Sequence, residues 1–203
     1  MTDFAELLGA AGRLADAGER QVLGITGPPG AGKSTLAERL VAALGPDRAV
    51  LVGMDGFHLA DAELRRTGRR NRKGAPDTFD RAGYAALLHR LRHEPGIVYA
   101  PAFDRSIEDS IAAAIPVPPG VPLVVTEGNY LLLWPEVRSL LDLVWYLDPP
   151  ADTRRAALVA RHVAYGKAPA EAEHWVATSD ERNAELIAAG RQLADRVLDW
   201  PAN

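Results

Sequence analysis

The sequence predicts an α/β fold, a doubly wound parallel sheet of five strands flanked by helices, in a single domain over 1–203. Three observations predict it. Short apolar runs rich in β-branched and aromatic residues alternate with helical patterns along the chain. A glycine-rich stretch, GPPGAGKS, sits between the first such run and a helix. A hydrophobic content of 47% in 203 residues supplies one full core of ordinary composition.

The elements follow in order. Phe4, Leu7, Leu8, Ala11, Leu14 and Ala15 recur at helical spacing, which predicts a helix within 1–19. QVLGIT (21–26) reads as a strand and STLAERLVAAL (34–44) as the helix after it. AVLVGM (49–54), GIVYA (96–100), PLVVTEG (122–128) and LVWYLD (143–148) are the remaining strands, each a continuous apolar run suited to burial on both faces. DRAGYAALLHRLRH (80–93) and a stretch from Asp152 to about Ala164 are helical. Another helix is expected over Asp180–Gly190 with Asp180 as its cap, and DRVLDW (195–200) can add a last edge strand. The irregular stretches 56–79 and 101–120 are placed at the carboxyl ends of the strands, where such sheets bind ligands.

Composition removes several classes of function. The net charge of −4 gives no general affinity for nucleic acid or anionic membranes. Without cysteine there is no disulfide, thiol nucleophile or thiolate metal site. No run reaches the ~18 apolar residues of a membrane span. The opening MTDFAELLGAAGRLADAGE lacks the basic, then apolar, pattern of a signal peptide, so a cytoplasmic protein is expected. The only lysines are Lys33, Lys73 and Lys167, so a lysine at a chemically meaningful place marks a need for a compact ammonium.

Gly27, Pro28, Pro29, Gly30, Ala31, Gly32, Lys33 and Ser34 fit GxxxxGK[ST], with Thr35 beside them. Strand before and helix after complete the context of a phosphate-binding loop, so the fold class is that of a P-loop NTPase. Glycines let successive N–H groups turn toward phosphate oxygens, and the helix N-terminus adds positive potential. Lys33 is expected at the β- and γ-phosphates of ATP and Ser34 on Mg²⁺. No [NT]KxD guanine reader and no LSGGQ-like signature accompany the loop, and the DxxG at 80–83 falls at a helix start rather than a strand end. Regulatory GTPases and transport ATPases therefore lose ground.

Two acids stand at strand tips. Asp55, in GMDGFHL, can orient or deprotonate an attacking hydroxyl, although a D-G pair is also an ordinary turn. Glu127, in LVVTEGNY, can hold a metal-bound water or a substrate hydroxyl. Two such acids beside one phosphate cradle point to phosphoryl transfer.

The ordered set of P-loop, DGF, PDTFD and EG resembles the uridine kinase, phosphoribulokinase and type I pantothenate kinase family over about residues 20–190. The stretch FDRSIEDS looks like that family's small nucleoside and sugar kinase branch, often labelled fructokinase. The resemblance implies MgATP as donor, a small-molecule hydroxyl as acceptor, Asp55 as the catalytic aspartate and Asp77 as the acid of a substrate-side element. It also implies a family habit of forming homodimers. In PAFDRSIEDS (101–110), Phe103 and Asp104 match a nucleoside-gripping pattern, whereas Glu108 and Ser110 replace its His and Arg. That departure ranks sugar-like alcohols first, nucleosides second and pantothenate-like carboxylates third.

A lid is expected over 151–178. Arg154 and Arg161, seven residues apart on one helix face, match two of the arginines that close over phosphate in this family, or they belong to a solvated face. Phe57, His58, Lys73 and Tyr130 are further candidate substrate contacts; Tyr130 and Asn129, just past Glu127, are close enough to the strand tip to support the site. Trp134, Trp145, Trp175 and Trp200 read as core or interface. The run RRTGRRNRKG (65–74) is a solvated loop, an anion funnel or a nucleic-acid contact. The last reading makes the chain a nucleotide-sensing or nucleic-acid-associated NTPase using 65–73; the lack of aromatics in the run places it last.

Overall fold

A computed structural model describes residues 2–200; Met1 and residues 201–203 of the expected domain lie outside the described residues. Helix α1 (Phe4–Ala15) leads into strand β1 (Gln21–Thr26), helix α2 (Lys33–Leu44) and strand β2 (Ala49–Leu51). A short helix α3 (Asp61–Arg66) and a longer α4 (Arg81–His93) precede strands β3 (Val98–Asp104) and β4 (Asp109–Val117). Strands β5 (Leu123–Glu127) and β6 (Leu143–Leu147) enclose helix α5 (Pro135–Arg138). Helices α6 (Ala151–Ala164), α7 (Pro169–Trp175) and α8 (Glu181–Ala188) come before the last strand, β7 (Arg196–Leu198).

The main sheet has five parallel strands in the order β2-β5-β1-β6-β7. The architecture is the expected one, but its membership differs. The run at 96–100 does not join the parallel sheet; Val98–Asp104 pairs antiparallel with Asp109–Val117 as a separate hairpin. Pro101 supplies the physical reason. It has no N–H to donate, so it belongs at an edge or bulge, and the register shifts between Ala100 and Ala102. The stretch 101–120, expected to be irregular, is therefore largely this hairpin. The place left by 96–100 is filled by the edge strand at 196–198, and the second strand is shorter than 49–54, giving way to a 3₁₀ turn at Met54–Phe57.

Strand alternation splits the core into two layers. Val22, Val124, Val144 and Tyr146 face α4, α5 and the hairpin, with Leu87, Leu88 and Leu91 of α4 packed on them. Leu23, Ile25, Val125, Trp145 and Leu147 face α1 and α2, with Leu36, Leu40 and Trp200 closing that side. Arg20 ties the layers at the strands' amino ends. Its guanidinium donates to the carbonyls of Leu91 at 2.7 Å and Val121 at 2.9 Å, and to that of Pro118. The chain between β1 and the end of α4 is thereby anchored away from the strand tips, where the ligand space opens.

Leu88→Ala, at a fully buried site, is expected to lower the unfolding free energy by about 2–5 kcal/mol. Leu186→Ala, on an exposed position of α8, should cost no more than about 0.5 kcal/mol. Urea denaturation of both variants measures the contrast; equal losses would contradict this packing.

Candidate active site

The cradle forms because β1 ends at Thr26 and the chain must turn at once into α2. Gly27, Gly30 and Gly32 take positive φ angles of 147°, 79° and 83°. A β-carbon at Gly27 would lie 2.5 Å from the Leu147 carbonyl oxygen, and one at Gly30 would meet Leu158 Cγ at 2.7 Å and the Arg154 carbonyl at 2.9 Å. Only glycine fits those places. Lys33, the first residue of α2, folds back so that Nζ donates to the carbonyls of Gly27 and Pro28, each at 3.0 Å. Burial draws this ammonium's pKa down, while Glu127 and Asp55 oppose the shift.

Parallel pairing sets Glu127 level with Ile25, so the tip of β5 ends beside the cradle. Ser34 Oγ donates to Glu127 Oε1 at 3.2 Å. Burial pushes the Glu127 carboxyl up and Asp55 adds repulsion; Lys33 and the Ser34 hydrogen bond act the other way. Asp55 lies in the Met54–Phe57 turn that follows β2, and Arg105 Nη2 from the hairpin tip donates to its Oδ2 at 3.1 Å. Gly56 makes this approach feasible, since a β-carbon there would stand 2.6 Å from the Pro101 carbonyl.

Two cavities of about 780 and 410 Å³ meet at Gly30, Lys33, Ser34, Asp55, Phe103, Arg105, Glu127 and Arg161. The larger extends along α2 and the hairpin stem, past Thr35. The smaller is closed by the 58–79 loop on one side and by α6, α7 and the start of α8 on the other. Ser34 and Glu127 offer hard oxygen donors, and among the described residues no cluster of three or more acidic or histidine side chains could cage a metal alone. That donor set fits Mg²⁺, which keeps several waters and binds through one or two carboxylates plus substrate phosphates.

The structure brings some expected site residues together and leaves others out. Lys73 lines the smaller cavity, with Nζ 2.7 Å from Asp61 Oδ1 and 5.3 Å from the Phe103 ring centre. His58 also lines it, packed between Phe79 and Phe103, and burial lowers its pKa. Pro29 lines it too, whereas Gly27, Pro28 and the buried Ala31 shape the cradle from behind. Phe57 instead packs against Tyr84, with ring centres 5.0 Å apart and tilted. Tyr130 is fully buried among Phe79 and Trp134 and donates to the Gly74 carbonyl. Asp77 pairs with Arg72, and Asp104 accepts from Ser106 N and Oγ at 2.8 and 2.6 Å to turn the hairpin. None of these last four lines either cavity.

The two arginines of α6 separate. Arg154 is buried, donating to the Pro29 carbonyl at 3.2 Å and to Glu181. Arg161 is exposed, lines both cavities and makes no ion pair among the described residues. The basic run is held by carboxylates: Arg65, Arg70 and Lys73 share Asp61, Arg66 pairs with Glu63, and Arg69 and Arg72 face Asp77. Asp180, expected to cap a helix, does not: its backbone is helical, its side chain makes no capping bond, and its Oδ2 lies 2.9 Å from His162 Nε2. Sequence reasoning missed Arg105, Asp180 and Asn183 at the cavity. The charge of Arg105 beside the PAFD stretch was the one available signal.

Comparison with known proteins adds four findings. Residues 5–54 match the family of the methylmalonyl Co-A mutase-associated GTPase MeaB, a span that includes the P-loop and stops just before Asp55. An ATP-dependent kinase-like protein, notR', of Aspergillus versicolor is 36% identical over 152 residues, covering 68% of this chain and 88% of that protein. A “putative uridine kinase” of Schizosaccharomyces pombe is 33% identical over 186 residues, covering 85% and 79%. The crystal structure of a “putative fructose transport system kinase” from Silicibacter sp. TM1040 superposes with a TM-score of 0.88 at 36% identity, covering 98% of this chain and all of that one.

Gly30→Ala is expected to remove the thermal protection that MgATP gives the wild-type chain, because the added methyl must displace Leu158 or the α6 backbone. Melting curves with and without MgATP test it; full protection of the variant would mean the cradle does not hold the nucleotide.

Proposed function

The chain belongs to the uridine kinase-like family of P-loop small-molecule kinases, and from that premise we propose that it moves the γ-phosphoryl group of MgATP to a hydroxyl of a small polar, sugar-like metabolite. One observation carries the reading. Asp55 lies where the two cavities meet, together with the P-loop residues and Glu127, so an acceptor in the smaller cavity has its hydroxyl beside the carboxylate and the phosphate cradle.

The chain's own groups divide the work. Backbone N–H groups of 27–32 and Lys33 hold the phosphates, and the ammonium, already desolvated, exchanges its two carbonyl partners for phosphate oxygens. Ser34 and Glu127 would hold Mg²⁺, whose charge offsets that of the phosphates. Asp55 accepts the acceptor's hydroxyl proton or orients its lone pair for in-line attack. Arg105 fixes Asp55 in place before the acceptor arrives. Arg161, without an ion pair among the described residues and facing both cavities, meets the charge that develops on the transferring group; Arg154 braces Pro29 and so acts through the cradle.

Support for a sugar-like acceptor comes from the hairpin and from the relatives. The positions that grip a base in uridine kinases hold Glu108, at a positive φ of 54°, and Ser110, whose hydroxyl donates to the His58 carbonyl at 3.4 Å. One relative that superposes over its whole length, at 36% identity, carries fructose in its name. The nucleic-acid reading draws little support, since six cations of the 65–73 loop face three carboxylates within the same segment of the chain.

Asp55→Asn should cut turnover by about 10²–10⁴-fold, the usual worth of a general base, and leave ATP affinity within twofold. Arg161→Ala should lower kcat by about 10³-fold, with a small change in melting temperature. An ATP-consumption screen against pools of sugars, nucleosides and vitamins identifies the acceptor and supplies the assay. Wild-type turnover by the Asp55 variant would remove that residue from the mechanism.

A further inference from the structure

The wall of the smaller cavity opposite the hairpin contains an irregularity without an obvious local cause. From Pro169 to Ala188 the backbone is helical, yet Val176–Asp180 forms a π-turn in a stretch, VATSD, that holds neither Pro nor Gly. Such wide turns insert one residue into a helix and recur at functional sites. Here Trp175, Ser179, Asp180 and Asn183 all line the cavity.

Asp180 and Asn183 are 7% and 9% exposed, so both polar groups are withdrawn from bulk water while lining a ligand-sized space. One oxygen of Asp180 is engaged by His162 at 2.9 Å. The amide of Asn183 makes no hydrogen bond among the described residues. Its amide atoms keep access to the cavity and can take a partner from a molecule bound there. Three residues apart on a helix, the two side chains are neighbours. Together they present a carboxylate acceptor and an amide that both donates and accepts, which is the complement of adjacent hydroxyls, each a donor and an acceptor. Phe103 and Trp175 add apolar ring surface to the same cavity.

We propose that Asp180 and Asn183 are the acceptor-specifying residues, binding two adjacent non-reacting hydroxyls of a polyol whose reacting hydroxyl lies at Asp55. This rests on the kinase reading above and narrows its substrate to compounds with a vicinal diol besides the phosphorylated position.

The test uses the full chain and an ADP-release assay with aldoses, ketoses and alditols, each beside its monodeoxy counterparts, and with uridine and pantothenate. The wild type should phosphorylate a polyol and discriminate against the deoxy form. Asp180→Asn, Asn183→Leu and the milder Asn183→Ser should each raise the acceptor KM by about 10–100-fold, the worth of one hydrogen bond to a charged or buried group, and erase that discrimination. The KM for ATP and the melting temperature with MgADP should stay at wild-type values. Phosphorylation of a polyol with acceptor KM and discrimination unchanged in all three variants overturns the assignment and leaves the kinase reading intact. An equal rise in the KM for ATP overturns it as well, since the residues would then act on the fold. Turnover of uridine alone, whose ribose carries a vicinal diol beside its reacting hydroxyl, removes the free sugar-like acceptor, and equal turnover of 2′-deoxyuridine would then overturn the diol site as well. Turnover of pantothenate alone, which has no vicinal diol, removes both together, and no turnover of any compound removes the kinase reading with them.

Discussion

The site depends on placing one buried ammonium and one half-buried carboxylate at the same end of a parallel sheet. Strands β1 and β5 are neighbours in register, Ile25 beside Glu127, so the loop leaving one strand and the acid ending the other are forced together. Neither Lys33 nor Glu127 could be placed there alone, because an isolated buried charge is far more costly than a compensated one. Each has partners. The ammonium takes two loop carbonyls, the carboxylate takes the Ser34 hydroxyl, and each charge offsets part of the other's burial. For Lys33 to reach inward, α2 must begin at that residue, and this requires Gly32 in a left-handed conformation immediately before it.

The acceptor side is built around this fixed point by elements that are not in the sheet. The hairpin of β3 and β4 lies across the Met54–Phe57 turn, where Gly56 leaves room for Pro101, and its tip carries Arg105 to Asp55. The loop from 58 to 79 contributes Lys73 and His58, both already engaged, to Asp61 and to the Asp55 carbonyl. On the far side the helices after β6 are joined to one another by Glu181, which holds Arg154 and Arg155. The donor half of the cleft thus rests on the sheet, while the acceptor half rests on side-chain ties between loops and helices, which can vary without disturbing the cradle.

This division also explains what could be read from the chain. The donor half was legible, since a GxxxxGKS stretch between strand and helix has few structural solutions, and acids at strand tips face the same way in any doubly wound sheet. The membership of the sheet was less so. An apolar run such as GIVYA does not say whether its partner is parallel or antiparallel, and its partner, DSIAAAIPV, is rich in alanine and so lacks a strand-like composition. Only Pro101, just beyond the run, argued against a central place. Tyr130 and Phe57, next in sequence to site residues, point into the core because neighbours on a strand or turn face opposite ways. The π-turn was not legible at all: ATSDER fits a helix start with an aspartate cap, and only the backbone shows the helix running through.

Arg154 and Arg161 show how far helical periodicity carries an argument. Seven residues bring the chain round almost two full turns, so both arginines lie on one face of α6. They are also separated by about 10 Å along the axis. Gly30 lets α6 approach so closely that Leu158 and the Arg154 backbone touch the cradle, which leaves Arg154 no direction but toward Pro29. One turn past Leu158 the helix has cleared the loop, and Arg161 opens onto the junction of the two cavities. A shared face gave the two residues a shared direction; the distance along the axis made one a brace for the P-loop and left the other free to meet phosphate.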